Sequence, residues 1–188
     1  MYANSGTLER IIFTFPYVFN KMAAGGGIPK LNLLAADNHT DEDPIKIGSF
    51  EIVPVPMLHG SMIDYGWILR NKNADGEYVS IVYLTDCSQI SDRSIELVKA
   101  AGGKIEHLVI DALRESPHPT HCNFEQSLGY AERIGAVHTW LTHICHDRTH
   151  VEIQKYISEN LGKYPGLSEI VRKGGSVEPA YDGLEIEA

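Results

Sequence analysis

Cysteine is scarce in this chain of 188 residues: Cys87, Cys122 and Cys145 are all there are, with no Cys-x-x-Cys pair among them. That set gives neither a disulfide framework nor a zinc-finger spacing. It fits reduced thiols in a cytoplasmic protein, the compartment expected here. Basic residues are in the minority, 16 against 25 acids, for a net charge of −9. The basic footprint of a nucleic-acid or membrane-surface binder is therefore missing. No apolar run approaches the length that crosses a bilayer. Met1 to Ser5 shows no basic segment leading into an apolar one, so no signal peptide is expected. Gly25 to Gly27 lacks the setting and the Gly-Lys-Ser/Thr ending of a phosphate loop and reads as plain loop. What remains is a soluble globular composition, 43% hydrophobic and 22% charged. Its length suits a single domain, 1–188, with a core that needs no disulfides.

Histidine, by contrast, is abundant. Seven of the nine fall between His107 and His150. Such a cluster invites a search for metal or acid–base chemistry without proving either.

The apolar periodicity organises the chain. Leu8, Ile11, Ile12 and Phe15 recur at helical spacing and stop at Pro16. The stretch from Ala23 to Asp43 reads as loop with room for one strand. Phe50 to Leu58 is β-prone, but Pro54 and Pro56 predict an edge or irregular strand. Gly66 to Leu69 reads as its partner, and Asn71 to Gly76 carries hairpin-turn chemistry. Three strand–helix units follow. Ile81 to Leu84 is a buried strand ending at Asp86, with a helix capped by Ser91 and closed at Gly102. Leu108 to Ile110 ends at Asp111, with a helix capped by Asn123. Thr139 to Leu141 ends at Thr142-His143, with a helix opened by the capping box Thr149-x-x-Glu152. Leu184 to Glu187 reads as a last strand. Alternation of this kind means an α/β layered domain.

His59, Asp86, Asp111 and His143 each close an apolar strand, where side chains converge on one edge of a sheet. Each also has a plainer reading. His59 suits a surface turn, Asp86 a helix cap or turn, and Asp111 a structural carboxylate bonded to backbone amides. A carboxylate buried beside a strand is costly unless paired or metal-bound. His143 and His146, with Asp147, could supply a ligand and groups standing behind it. His118 and His121 lie in a proline-punctuated loop that could present an imidazole to a substrate or simply face water. A cysteine nucleophile is the rival chemistry: Cys145 beside His143 and His146, or Cys122 beside His121. Neighbours in a strand point to opposite faces, which weakens those pairs.

In chain order the sequence carries Tyr2-Ala3-Asn4 before a helix, Pro56-x-x-His59, Tyr65-Gly66 and Tyr83-Leu-Thr-Asp86. It continues with His118-Pro-Thr-His121, Leu141-Thr-His143-x-x-His146-Asp147 and Tyr181-Asp-Gly-Leu184. This series resembles the metallo-β-lactamase superfamily, in particular its phosphoribosyl cyclic phosphodiesterase branch. The resemblance implies an αββα sandwich and a site of two Zn²⁺ or Mn²⁺ ions. It implies that His59, Asp86 and His143 are metal ligands, with Asp86 bridging, and that His121 orients or protonates a phosphate. His146, Asp147 and Asp111 would support the ligands from behind. The implied reaction is attack of a metal-held hydroxide on a small, cyclic phosphodiester.

The family's His-x-His-x-Asp-His motif, which supplies four of seven ligands, occurs nowhere in the sequence. The expectation is therefore an N-terminally truncated member, its sandwich lacking the first strands and its hydrolase chemistry latent or absent. Two functions are carried forward: a metal-dependent phosphodiesterase, and a non-catalytic remnant that self-associates through uncovered apolar surface.

Overall fold

The computed structural model describes residues 1–19 and 29–187; the glycine run Gly25–Gly27 lies outside them. The chain opens with strand β1 (Tyr2–Ala3), helix α1 (Ser5–Thr14) and a short helix α2 (Pro16–Phe19). Asn4 caps α1 by accepting the Thr7 amide. Strand β2 (Leu34–Ala35) pairs with β1 in parallel.

Seven further strands form one mixed sheet, in the order β3 (Ile45–Ile47), β4 (Phe50–His59), β5 (Met62–Lys72), β6 (Tyr78–Leu84), β7 (Lys104–Asp111), β8 (His138–Thr142), β9 (Ser176–Pro179). The first four are antiparallel neighbours and the last four run parallel. The parallel connections carry helices α3 (Asp92–Ala101), α4 (Phe124–Ile134), α5 (His150–Asn160) and α6 (Pro165–Arg172). The capping residues read from the sequence, Ser91, Asn123 and Thr149, all accept from the first helical turn, and Gly135 ends α4 in the left-handed conformation. This is the mixed α/β fold that the strand–helix alternation predicts.

The helices cover one face of the sheet. Val53, Val55, Ile68, Val82, Leu84, Leu108, Ile110 and Leu141 point into that layer. They meet Ile95 and Val98 of α3, Leu128 and Ala131 of α4, Ile153 and Ile157 of α5, and Leu167 of α6. Each buried Val, Leu or Ile among them stabilises the fold by about 1.5–3 kcal/mol relative to leaving it in water. Gly66 is required by packing here: a Cβ at that point would run into Leu84 and the Tyr83 carbonyl.

Among the described residues the opposite face is only partly covered. Trp67, Leu69, Ile81, Tyr83 and Val109 line an apolar depression of about 490 Å³ with Ile45, Ile47, Ile52, Tyr2 and Ile186. Tyr83 is 44% exposed and Ile47 54% exposed.

Three local expectations need revision. The Phe50–Leu58 strand is interior at its start, where β3 pairs with residues 50–52, and an edge only from Val53 onward. Pro54 and Pro56 fall on that unpaired length, where a missing N–H costs no ladder bond. Ser94 donates to the Pro56 carbonyl, and Gln89 and Ser88 exchange backbone bonds with Leu58, so the edge is closed by other means. Second, Leu184–Glu187 is not a strand. The free edge of β8 is taken by Ser176–Pro179 instead, and the tail is pinned by a bond from His107 Nε2 to the Glu187 carbonyl (2.8 Å). Third, α6 carries no cap signal except Pro165 at its first turn, and periodicity alone does not reveal it.

Candidate metal centre

Four loops meet beyond the strand ends. They are the β4–β5 turn at His59–Gly60, the turn after β6 at Asp86–Ser88, the loop after β7 at His118–Cys122, and the turn after β8 at His143. Backbone bonds stitch them together. Ser88 donates to Leu58 O, Cys122 to Cys87 O, Leu113 to Cys122 O, Ala112 to Thr142 O, and Cys145 to Leu113 O, all at 2.7–2.9 Å. Ser88 Oγ also accepts the Gly60 amide, and Thr120 packs over Gly60. The side chains at these points are thus carried on a braced frame.

Asp86 (φ 58°) and His143 (φ 61°) occupy the left-handed region, the only non-glycine residues among those described to do so. An L side chain there costs roughly 1–2 kcal/mol, and such outliers concentrate at functional sites. The turn points the two side chains at each other: His143 Nε2 lies 3.5 Å from Asp86 Oδ1. His121 sits between the other histidines, its ring 4.9 Å from that of His59 and 4.5 Å from that of His143. Ligand atoms of His59, Asp86 and His121 all lie within 4.8 Å of one another, as do those of Asp111, His121 and His143.

Asp111, at the end of β7, is fully buried. Its Oδ2 accepts from His121 Nδ1 (3.0 Å) and from the Cys87 amide (3.2 Å), while Oδ1 has no partner. An imidazole and carboxylate donor set with an orphaned buried carboxylate oxygen fits a divalent cation. The residues present would therefore accept one.

The structure brings together His59, Asp86, His121, His143 and Asp111. Asp111 matches both sequence readings, since it bonds a backbone amide and also supports a candidate ligand. His146 and Asp147 are exposed and belong to neither cluster. Asp147 instead lines a shallow pocket with Arg114, Glu115, Ser116 and Arg148. His118 stands at the rim, where loss of water first and the Arg114 charge second hold its imidazole below the usual range. Sequence reading missed Asp64, whose carboxyl is raised by burial and by the nearby Asp86 charge. Strand alternation from Gly66 would have placed it on the buried side of β5.

Of the two cysteine candidates, Cys122 does not fit a nucleophile, while Cys145 is half-buried and makes no side-chain bond to His143 or His146 among the described residues. Cys87 and Cys122 are fully buried with their sulfurs 4.0 Å apart. The bond shared with Cys122, then burial, push the Cys87 thiol far up. A thiolate at Cys87 is thereby disfavoured.

The sequence profile of the beta-lactamase superfamily domain matches residues 1–144. The chain belongs to the beta-lactamase superfamily. This superfamily member is similar to a solved diphosphatase of the PhnP family, with 29% identity and a TM-score of 0.67, over 97% of this chain and 55% of that one. It also resembles the metallo-beta-lactamase fold protein YhfI of Bacillus subtilis (16% identity, TM-score 0.56, 97% of this chain and 62% of that one). Igni18, a metallo hydrolase of Ignicoccus hospitalis, aligns at 15% identity with a TM-score of 0.50, over 96% of this chain and 74% of that one. The last two likenesses concern the fold alone. The chain spans little over half of the diphosphatase and under two thirds of YhfI. No curated protein sequence matches it. Among the described residues no helix is long and apolar enough to cross a membrane.

Proposed function

We propose that the site serves metal-dependent hydrolysis of a small phosphodiester, cyclic or diphosphate-like. The observation that carries this is the convergence of His59, Asp86, His121 and His143 in a chain similar to a PhnP-family diphosphatase. His59, Asp86 and His143 would hold the cation, Zn²⁺ or Mn²⁺, and the two-ion site of the resemblance would extend this set. A bound divalent ion supplies Lewis acidity and a lowered pKa for water at this spot.

The chain's own contribution is positional. The Asp86 turn sets its carboxylate at the mouth of the site. The Asp111 carboxylate holds the His121 ring, and His121 would orient or protonate a phosphoryl oxygen. The loop bonds fix these groups before substrate arrives, so little reorganisation is left to the reaction. The test is hydrolysis of bis(p-nitrophenyl) phosphate, a cyclic ribose phosphate and a dinucleotide diphosphate by the Mn²⁺- or Zn²⁺-supplemented chain. Metal-dependent turnover lost in D86N is expected. No turnover above the D86N background with any of the three would defeat the reading.

The open apolar sheet face favours a second reading, a non-catalytic chain that self-associates. Light scattering on eluted protein separates the two: a dimer with no turnover supports the second.

A further inference from the structure

We infer that, before substrate binds, His121 is itself a ligand, so that His59, Asp86 and His121 hold one cation, with His143 beside Asp86. This rests on the metal-dependent reading above and assigns His121 an additional role there.

Asp111 Oδ2 already accepts the Cys87 amide, and the 3.0 Å contact with His121 Nδ1 is assigned likewise, with the ring nitrogen donating. In the neutral ring the lone pair is then on Nε2. That is the arrangement by which a buried carboxylate orients a metal-binding histidine. The other histidines of the same loop and the next lack it. His118 Nδ1 is engaged by Thr120 within its own loop, and His146 is exposed.

The spacing also suits a small ion. Bonds of roughly 2.0–2.1 Å in a tetrahedron put neighbouring ligand atoms about 3.4 Å apart. His143 Nε2 and Asp86 Oδ1 are at 3.5 Å already. The ligand atoms of His59, Asp86 and His121, within 4.8 Å, exceed that edge by little more than an ångström at most. The charge supports the same assignment. Asp111 is 0% exposed and its Oδ1 is unpartnered, a costly state for a lone carboxylate. A cation one imidazole away offsets that charge. A lone pair given to a cation cannot also hold a proton for a phosphoryl oxygen. The phosphate role of His121 therefore begins only when this bond is released.

Titration of the metal-free chain with Co²⁺, read by its visible absorption, tests the assignment. The wild type is expected to bind about one equivalent with the strong bands of a tetrahedral site. H121A is expected to bind about 100-fold more weakly and to lose those bands. D111N is expected to weaken binding about 10- to 100-fold, and H118A to leave it unchanged. Circular dichroism checks folding. Histidine ¹⁵N NMR on the unmutated protein gives a second readout: Zn²⁺ should shift His121 Nε2 and not His118. Wild-type affinity in H121A, or an unmoved Nε2, overturns the inference and leaves the metal-dependent reading standing. No Co²⁺ uptake by the wild type overturns both.

Discussion

Replacing Asp86 by glycine and by alanine separates the backbone at this turn from its carboxylate. Both variants lose the same charge, so their difference reports the backbone alone. At φ 58° alanine keeps the left-handed penalty, roughly 1–2 kcal/mol. Glycine escapes it but loses about 0.5–1 kcal/mol to its freer unfolded chain. D86G should therefore be more stable than D86A by about 0.5–1 kcal/mol. With an unfolding entropy near 2.1 cal/mol/K per residue over 188 residues, that is about 1–3 °C in Tm. Removing Asp86 also relieves its repulsion of Asp64, which favours both variants. Scanning calorimetry in EDTA measures the difference. The same scans in Zn²⁺ at about 100 times its Kd should stabilise the wild type by about 2.7 kcal/mol and both variants far less. A D86G that melts at or below D86A in EDTA would refute the strain argument. An equal gain from Zn²⁺ in all three proteins would refute the ligand role.

Other outcomes follow from the packing. Leu128→Ala, at a fully buried position of α4, should cost 2–5 kcal/mol in urea unfolding; a cost under 1 would mean the α4 face is not core. Ellman's reagent should find one accessible thiol, Cys145, with Cys87 and Cys122 reacting only on unfolding; three fast thiols would contradict the buried pair. Tyr65 donates to Asp37, and burial first and that bond second push its hydroxyl up to about 12. The folded state then holds this proton more tightly than the unfolded chain, whose value is about 10. Its contribution is complete below pH 10 and lost as pH rises to about 12. Stability should therefore fall more steeply in the wild type than in Tyr65→Phe across that window, and parallel curves would count against it.

Much of this was legible in the sequence wherever the signal was local. Ser91, Asn123 and Thr149 act as caps because their side chains reach amides three residues on. Asp86, Asp111 and His143 were recognisable because each follows a short apolar strand. What was hidden depends on contacts distant in sequence. Whether Pro54 sits inside a sheet or at its rim depends on how far β3 extends, and nothing near Pro54 records that. Ser176–Pro179 wins the edge of β8 over Leu184–Glu187 through packing of α5 and α6, which no strand propensity expresses. The bond between His121 and Asp111 joins residues ten apart on a loop and a strand, so neither predicts the other. The left-handed turns at Asp86 and His143 also have no glycine or asparagine to announce them.

The margins of the large sheet restrict how two such molecules could meet. β3 offers three residues at one margin, β4 beyond it presents Pro54 and Pro56, and β9 at the other margin is four residues ending in Pro179. Short edges and prolines give a foreign strand few amides to zip onto. Among the described residues the broad apolar face around Trp67 and Ile81 has no such guard. On the self-associating reading, contact would go by stacking of one face on another and not by strand addition, which can repeat without end into a fibre. Two identical faces related by a twofold axis satisfy each other and stop there.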